Sequence, residues 1–127
     1  MAVNVARLAD KQIVLVVEDE PLLRLMAVDL VEDAGFQALC AANADEAVVM
    51  LEARTDIRMV FTDIDMPGSM DGMKLAAAIR GRWPPIEIII VSGHRAVDQQ
   101  DLPERSRFFQ KPYNSREIIA AMREMAA

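Results

Sequence analysis

The stretch IRMVFTDIDMPGSMDG, residues 57–72, combines a buried-strand pattern with two aspartates. It opens with an apolar run and passes through two aspartates, Asp63 and Asp65, into Met-Pro and two glycines. A short continuous apolar run predicts a strand buried on both faces of a parallel sheet. A carboxylate at the end of such a strand is costly unless another group pairs with it. The stretch therefore predicts a buried strand over 57–63 and a partner for Asp63 elsewhere in the chain.

Outward from this stretch, short apolar runs alternate with segments whose apolar residues recur at helical spacing. Strands are predicted within 11–20 and over 36–42, 57–63, 86–92 and 107–111, and helices over 21–35, 43–54, 70–81, 96–102 and 114–125. The helix at 96–102 is short at best, because Pro103 follows it. Strict alternation predicts an α/β protein with a parallel sheet, joined by right-handed crossovers and covered by helices on both faces.

Composition narrows the class of protein. The chain has 127 residues, 53% of them hydrophobic, which suits one globular domain. Cys40 is the only cysteine and His94 the only histidine, so neither an internal disulfide nor a histidine-based metal cage is expected. The apolar runs are too short to span a bilayer, and the first residues lack the layout of a signal peptide. We therefore expect a cytoplasmic protein without membrane contact.

Charge argues against one class of partner. The net charge is −6, and the largest basic group is the loose set of Arg105, Arg107 and Lys111. Because strong nucleic-acid binding requires a basic face, no direct nucleic-acid contact is expected.

The predicted strand ends share one property, which is that each carries polar groups. In an open parallel sheet these ends meet at the edge where ligands bind. They are Glu18-Asp19-Glu20 after the first strand, Asp63 after the third, Ser92-Gly93 after the fourth and Lys111-Pro112 after the fifth.

This set predicts a specific chemistry. Carboxylates close together repel one another unless a cation joins them, and oxygen ligands suit Mg²⁺. An aspartate beside Mg²⁺ can attack phosphorus and form an aspartyl-phosphate. The Lys111 ammonium and the Ser92 hydroxyl could then neutralise and hydrogen-bond the equatorial oxygens.

Four segments carry a resemblance to a known family. VLVVEDE (14–20), VFTDIDMP with MDGM (60–73), IIIVSGH (88–94) and FFQKPY (108–113) resemble, in order, the signatures of response-regulator receiver domains. The resemblance covers residues 11–125. It implies a doubly wound, flavodoxin-like sheet in the strand order 2-1-3-4-5. It also implies one receiver domain over 1–127, similar to stand-alone chemotaxis regulators, that takes a phosphoryl group from a sensor histidine kinase or a histidine phosphotransfer protein. Such a protein switches an interaction surface and is not an enzyme beyond catalysing its own phosphorylation and dephosphorylation.

The resemblance also implies a role for each matching residue. Asp63 matches the phospho-acceptor, and Glu18 and Asp19 match the acidic pair that holds Mg²⁺ with Asp63. The remaining matches are the backbone carbonyl of Asp65 as a further metal ligand, Ser92 as the switch hydroxyl, Lys111 as the phosphate-pairing lysine, Phe108 as the switch aromatic, and Asp65, Met66, Gly93 and His94 as residues lining the site. The Lys111–Pro112 bond resembles one that is often cis in this family.

The chain departs from the family pattern in two places. The loop MPGSMDG is one residue longer than usual and carries Gly68-Ser69. The stretch from Ser92 to Lys111 is short, so a truncated or irregular fourth helix is expected. That truncation would leave Ile118, Ile119 and Met122 with more apolar area than the core needs, and from it we expect a homodimer or kinase-docking surface over 95–122.

Other interpretations of these residues stay open at this point. Asp63 could be a turn or helix-capping aspartate, and Glu20 suits the start of a helix better than a metal site. FTDIDMPG also resembles the D-x-D motif of haloacid-dehalogenase-type phosphatases, although that family places the motif near its N-terminus. A degenerate receiver that acts only as a binding module is a further alternative. Phe108 and Phe109 alternate along one strand, so either could face the core.

Overall fold

The computed structural model describes residues 11–68, 70–94 and 96–127, so residues 1–10, Ser69 and Arg95 lie outside the described residues. Its strands are β1 Ile13–Val17, β2 Gln37–Ala41, β3 Ile57–Asp63, β4 Glu87–Ser92 and β5 Ser106–Gln110. Its α-helices are α1 Pro21–Asp33, α2 Ala44–Ala53, α3 Gly72–Arg82 and α4 Ser115–Ala126. All neighbouring strands pair in parallel in the order β2-β1-β3-β4-β5. The expected fold and strand order are confirmed.

The two faces of the sheet carry separate cores, because side chains alternate along each strand. On β1, Leu15 packs in the core beneath α2 and α3, whereas Val14 and Val16 pack in the core beneath α1 and α4. On β3, Val60 and Phe61 divide in the same way. Burial on both faces explains why the central strands are continuous apolar runs rather than alternating ones.

Each helix begins at a side chain that caps its free backbone N–H groups. Glu20 accepts hydrogen bonds from Leu22 and Leu23 at the start of α1. Asn43, Asp71 and Asn114 cap α2, α3 and α4 in the same manner. Glu20 is therefore a helix cap, as its position before Pro21 suggested.

The fourth predicted helix is reduced to one 3₁₀ turn, Gln99–Asp101. Arg80 of α3 fixes the segment that follows, because its guanidinium donates to the carbonyl oxygen of Glu104 at 2.6 Å and, at 3.4 Å, to that of Arg105. The same guanidinium donates to the carbonyl oxygens of Pro84 at 2.6 Å and Ile86 at 2.9 Å. The segment between β4 and β5 is thus held by side-chain bonds rather than by a helix.

The prediction that the last helix has more apolar surface than the core needs is wrong. Ile118 and Met122 are completely buried and Ile119 is partly buried, because this face of α4 packs on the sheet beside α1. The exposed large apolar side chains of the described residues lie elsewhere, mostly on α1: Leu22 at 62%, Leu23 at 41%, Leu25 at 56% and Met26 at 56%, with Val49 of α2 at 64%. The reason given for a homodimer over 95–122 therefore fails, and a homodimer stays an untested prediction.

Among the helices of the described chain, none combines the length and apolar character that a membrane span requires.

Candidate functional site

Two buried carboxylates lie side by side at the carboxyl edge of the sheet. In the pairing of β1 with β3, Val17 is opposite Thr62, so the next residues along each strand, Glu18 and Asp63, are neighbours. Both are less than a tenth exposed. Such groups require a compensating charge at this depth.

Lys111 supplies that charge. Its backbone N–H donates to the carbonyl oxygen of Ser92 at 2.8 Å, which extends the β4–β5 pairing by one residue and brings the side chain over the site. Its Nζ lies 2.7 Å from Asp63 Oδ2 and 3.5 Å from Glu18 Oε1. The peptide bond between Lys111 and Pro112 is cis, as the resemblance suggested. The partner that Asp63 required is therefore Lys111.

The pKa values of these groups follow from burial and from charge. Burial raises the pKa of Glu18 to about 7, and the Asp63 carboxylate adds to the rise, while the N–H of Glu20 and the charge of Lys111 oppose it. Burial acts to lower the pKa of Lys111, but the hydrogen bond and charge of Asp63 outweigh it and hold that pKa above its ordinary value. Burial also raises the pKa of the neighbouring Tyr113 hydroxyl. The lysine therefore stays charged while Glu18 titrates near neutral pH.

Asp65 joins the Asp63 carboxylate to the Ser92 hydroxyl. Its backbone N–H donates to Asp63 Oδ1 at 3.1 Å. Its own Oδ2 accepts a hydrogen bond of 2.8 Å from Ser92 Oγ. Ser92 is fully buried, and its Oγ also accepts from the N–H of His94 at 3.2 Å. No sequence pattern indicated the bond between Ser92 and Asp65.

The oxygen groups of the site fit Mg²⁺ only in part. Mg²⁺ in proteins is held by one or two carboxylates and several waters, and Glu18 and Asp63 supply two such groups. Asp19 is exposed, beyond the end of β1. Within the described residues, no three acidic, histidine or cysteine side chains are close enough together to hold a metal ion. The expected cluster of three carboxylates is thus not assembled, and the ammonium of Lys111 contacts the two that are buried.

The backbone around Asp63 is tightly packed. The N–H of Gly72, the first residue of α3, donates to the carbonyl oxygen of Ile64 at 2.9 Å. A Cβ placed on Gly72 would lie only 2.1 Å from the carbonyl oxygen of Asp63. The start of α3 and the end of β3 can approach this closely only because residue 72 has no side chain.

The other residues expected at the site divide into two groups. Gly93 and His94 are exposed beside it, and a Cβ on Gly93 would lie 3.7 Å from the Cβ of Lys111. Met66 and Phe108 instead pack, partly buried, against the core beneath α2 and α3. Phe109 packs on the opposite face of the sheet. Phe108 is therefore the aromatic side chain that shares a face with Val97 and Leu102 of the segment between β4 and β5.

An apolar cavity of about 440 Å³ adjoins the site. Its walls come from the sheet, from α1 and from the start of the last loop, and its residues include Val16, Leu23, Met26, Ala27, Phe61, Val91, Pro112 and Tyr113, with Glu18, Asp63 and Lys111 at its polar end. The apolar side of this cavity was not predicted, although Leu22, Leu23, Leu25 and Met26 make the start of α1 apolar on more than one face.

Comparison with known proteins agrees with this fold. The family model for the response regulator receiver domain matches residues 14–123. The nitrogen assimilation regulatory protein NtrX of Azorhizobium caulinodans is 29% identical over 110 residues, which are 84% of this chain and 24% of that protein. The sensor kinase CckA of Brucella abortus is 33% identical over 117 residues, 88% of this chain and 12% of that protein. A response regulator receiver protein from Sinorhizobium medicae superposes with a TM-score of 0.85 at 28% identity, covering 93% of this chain and 96% of that one.

The chain belongs to the response regulator receiver domains. It spans about a quarter or less of the length of NtrX and CckA. Receiver domains are phospho-accepting modules of two-component systems, work with histidine kinases or phosphotransfer proteins, generally bind Mg²⁺ and are not classical enzymes. The alternative assignment to the haloacid-dehalogenase-type phosphatases is not favoured.

Proposed function

We propose that Asp63 accepts the phosphoryl group, from a phosphohistidine of a sensor kinase or phosphotransfer protein. The observation that carries this assignment is the 2.7 Å contact between Lys111 Nζ and Asp63 Oδ2 at the carboxyl end of the central strand. This carboxylate faces the ammonium of Lys111, and it lies at the edge of the sheet where ligands bind. An ionised carboxylate beside a cation can act as a nucleophile.

The reaction exchanges one bond to phosphorus for another. An oxygen of the Asp63 carboxylate attacks phosphorus, the bond to the imidazole nitrogen breaks, and that nitrogen keeps the electron pair and takes up a proton. Lys111 moves from the carboxylate to the phosphoryl oxygens, and the Ser92 hydroxyl donates a hydrogen bond to one of them. Phe108 occupies the space that Ser92 leaves. These shifts bias a pre-existing equilibrium by differential contacts with the phosphoryl group.

Glu18 and Asp63, with Asp19 and the backbone carbonyl of Asp65, would hold Mg²⁺. When bound, the ion would neutralise part of the charge on the phosphoryl oxygens. Glu18 supports this part of the proposal, because a carboxylate buried beside another carboxylate is stabilised by an added cation. Gly93 and His94 leave the site open to small phosphodonors, since both residues are exposed.

The partner would dock on the first half of α1. A protein that carries a phosphohistidine to Asp63 must contact the surface around the site, and Leu23, Met26 and Ala27 of α1 line the cavity next to Asp63. Leu22, Leu25 and Met26 are each more than half exposed there. Exposed apolar groups this close together mark interaction surfaces in soluble proteins. We therefore propose a docking surface on α1 rather than over 95–122. We also propose that the protein is cytoplasmic and that residues 1–127 form a single receiver domain with its core over 11–125.

One experiment tests the acceptor. The protein with Mg²⁺ is incubated with acetyl phosphate and its mass is measured for the gain of one phosphoryl group. Asp63→Asn should gain none, because an amide is not a nucleophile. Asp71→Asn is the matched control and should react like the wild type, because Asp71 caps α3 through a side-chain oxygen that asparagine keeps. Undiminished acid-labile phosphate in Asp63→Asn would reject the assignment.

A further inference from the structure

The switch hydroxyl is already engaged in the unphosphorylated protein. Ser92 is fully buried, and its Oγ donates to Asp65 Oδ2 at 2.8 Å. The same oxygen accepts from the His94 N–H at 3.2 Å. Both the proton and an acceptor site of this hydroxyl therefore have partners within the protein.

A serine hydroxyl carries one proton. It cannot donate to Asp65 and to a phosphoryl oxygen on Asp63 at the same time. Both acceptors are anions, and hydrogen bonds to ionised groups are about twice as strong as neutral ones. The switch must therefore exchange one strong hydrogen bond for another.

Asp65 is placed to couple this exchange to the acceptor. Its N–H is bonded to Asp63 Oδ1 at 3.1 Å, so one residue touches the acceptor through its backbone and the switch hydroxyl through its side chain. The side chain of Asp65 is only partly buried, whereas that of Ser92 is fully buried. Water therefore has little access to the hydroxyl when it leaves the phosphoryl group, and Asp65 Oδ2 lies within hydrogen-bonding distance of it.

We propose that Asp65 is a latch that holds the Ser92 hydroxyl in the off state and competes with the phosphoryl group for the hydrogen bond that this hydroxyl donates. The latch rests on the proposed function and adds a means of regulation to the same site. It weakens the response to phosphorylation by the strength of the Ser92–Asp65 bond and lowers the fraction of unphosphorylated protein in the on state.

A double-mutant cycle measures the competition. The affinity for beryllofluoride, a stable mimic of the phosphoryl group, is determined in saturating Mg²⁺ for the wild type, Asp65→Ala, Ser92→Ala and the double variant. Asp65→Ala removes both the latch and the negative charge near the phosphoryl group. In the Ser92→Ala background it removes the charge alone. The ratio of the two gains in affinity isolates the latch from simple repulsion.

The gain caused by Asp65→Ala should be about threefold to tenfold larger when Ser92 is kept than in the Ser92→Ala background, given the usual net strength of one hydrogen bond. A ratio of one, or a smaller gain when Ser92 is kept, would overturn the latch. Asp65→Asn keeps an acceptor oxygen without its charge and replaces Asp65→Ala in the cycle if the double variant does not unfold cooperatively. The expected ratio is then about twofold, because a neutral acceptor holds the hydroxyl about half as strongly, and a ratio of one again overturns the proposal.

A second readout needs neither metal nor phosphoryl group. In Mg²⁺-free protein, Asp65→Ala should shift the amide resonances of β5 around Phe108 towards their positions in the beryllofluoride complex. Unmoved β5 resonances would contradict the latch. If the wild type binds beryllofluoride but the cycle shows no coupling, the latch alone is rejected. If the wild type does not bind beryllofluoride, both the proposed function and the latch are rejected.

Discussion

Glu18 holds its carboxyl at a depth where burial raises its pKa to about 7. A carboxyl with a raised pKa binds its proton more tightly in the folded than in the unfolded chain. Folding is therefore free of a penalty from Glu18 below the ordinary value of 4.5, and the penalty grows as the pH rises from there to about 7. Above about pH 7 the Glu18 carboxylate is charged in the folded protein, and the free-energy cost of burying that charge is at its largest unless a cation offsets it.

The prediction concerns the metal-free protein. Glu18→Gln should match the wild type in free energy of unfolding at pH 5 and exceed it by about 1 to 2 kcal/mol at pH 8. This figure is smaller than the full pKa shift implies, because solvent at the open side of the site screens part of the charge. Urea unfolding at both values of pH gives the comparison. Glu32→Gln, an exposed change on α1, should show no such dependence. An equal effect of Glu18→Gln at both pH values would contradict the raised pKa.

The start of α3 packs directly against the backbone at the end of β3, and Gly72 is the residue at this contact. The 2.1 Å approach that a Cβ would make to the Asp63 carbonyl leaves no room for adjustment by a flexible side chain, because the obstacle is backbone. The other glycine of α3, Gly81, has nothing within 4 Å of its would-be Cβ. One helix thus offers both a demanding and a permissive glycine.

Gly72→Ala should lower the free energy of unfolding by about 1 to 3 kcal/mol, as overpacked sites do, because α3 must move away from Asp63. It should also slow phosphorylation by acetyl phosphate, since the carboxylate moves with its backbone. Gly81→Ala should be neutral or stabilising by up to about 1 kcal/mol, because alanine is the better helix former. Thermal unfolding and mass spectrometry report the two effects. Similar behaviour of the two variants would show that the close approach has no consequence.

The α1 surface gives a prediction about recognition. The double change Leu22→Ser and Met26→Ser should reduce phosphotransfer from the cognate phosphorylated kinase at least about tenfold, because exposed apolar anchors carry much of the binding energy of an interface. Reaction with acetyl phosphate should be unchanged, since a small donor needs no docking surface.

The matched control is Val49→Ser on α2, which removes a similarly exposed apolar side chain on the other face of the sheet. It should leave both reactions unchanged. An equal loss of kinase transfer in the control, or no loss in the α1 variant, would place the docking surface elsewhere.

Three arginines connect distant parts of the chain by donating hydrogen bonds to backbone carbonyl oxygens. Arg80 links α3 to the loops before β4 and β5. Arg58 on β3 donates to the carbonyl oxygens of Met125 and Ala126 at 3.5 and 3.4 Å. Arg123 on α4 donates to that of Ala34 at 3.1 Å, beyond the end of α1. These bonds satisfy carbonyls that the helices and loops cannot satisfy themselves.

Arg80→Lys should cost about 1.5 to 3 kcal/mol, because an ammonium cannot reproduce the planar set of donors. Amide exchange should rise over 102–106, because the segment before β5 loses the hydrogen bonds that Arg80 donates to it. Arg82→Lys changes an exposed arginine of the same helix that pairs with Glu52 and should stay within about 0.5 kcal/mol of the wild type. Exchange rates over 102–106 that stay unchanged in Arg80→Lys would mean that other contacts hold this segment.

The sequence was sufficient to predict the sheet, because buried strands such as 57–63 and 86–92 must be apolar along their whole length. It was also sufficient to predict that Asp63 and Lys111 lie close together, because the ends of parallel strands meet at one edge of the sheet. It was insufficient where the outcome depends on packing between elements. The sequence suggested surplus apolar area on Ile118 and Met122, whereas in the structure both are buried where α4 packs on the sheet. Met66 packs, partly buried, against the core beneath α2 and α3, a contact that its spacing did not predict. The Ser92–Asp65 bond depends on side-chain rotamers that no spacing encodes.

Lys111 follows Glu18, Asp63 and Ser92 in the sequence, and this order has a consequence for synthesis. A ribosome that has made the chain through β4 has produced Glu18, Asp63 and Ser92 but not the lysine that faces the two carboxylates. The apolar side chains of α4 that close one face of the sheet come later still. Because domains fold as units and translation adds about 5 to 20 residues each second, Glu18 and Asp63 lack their lysine partner until β5 and Lys111 have left the exit tunnel. Under the proposed function, a half-made copy would therefore lack a complete acceptor site.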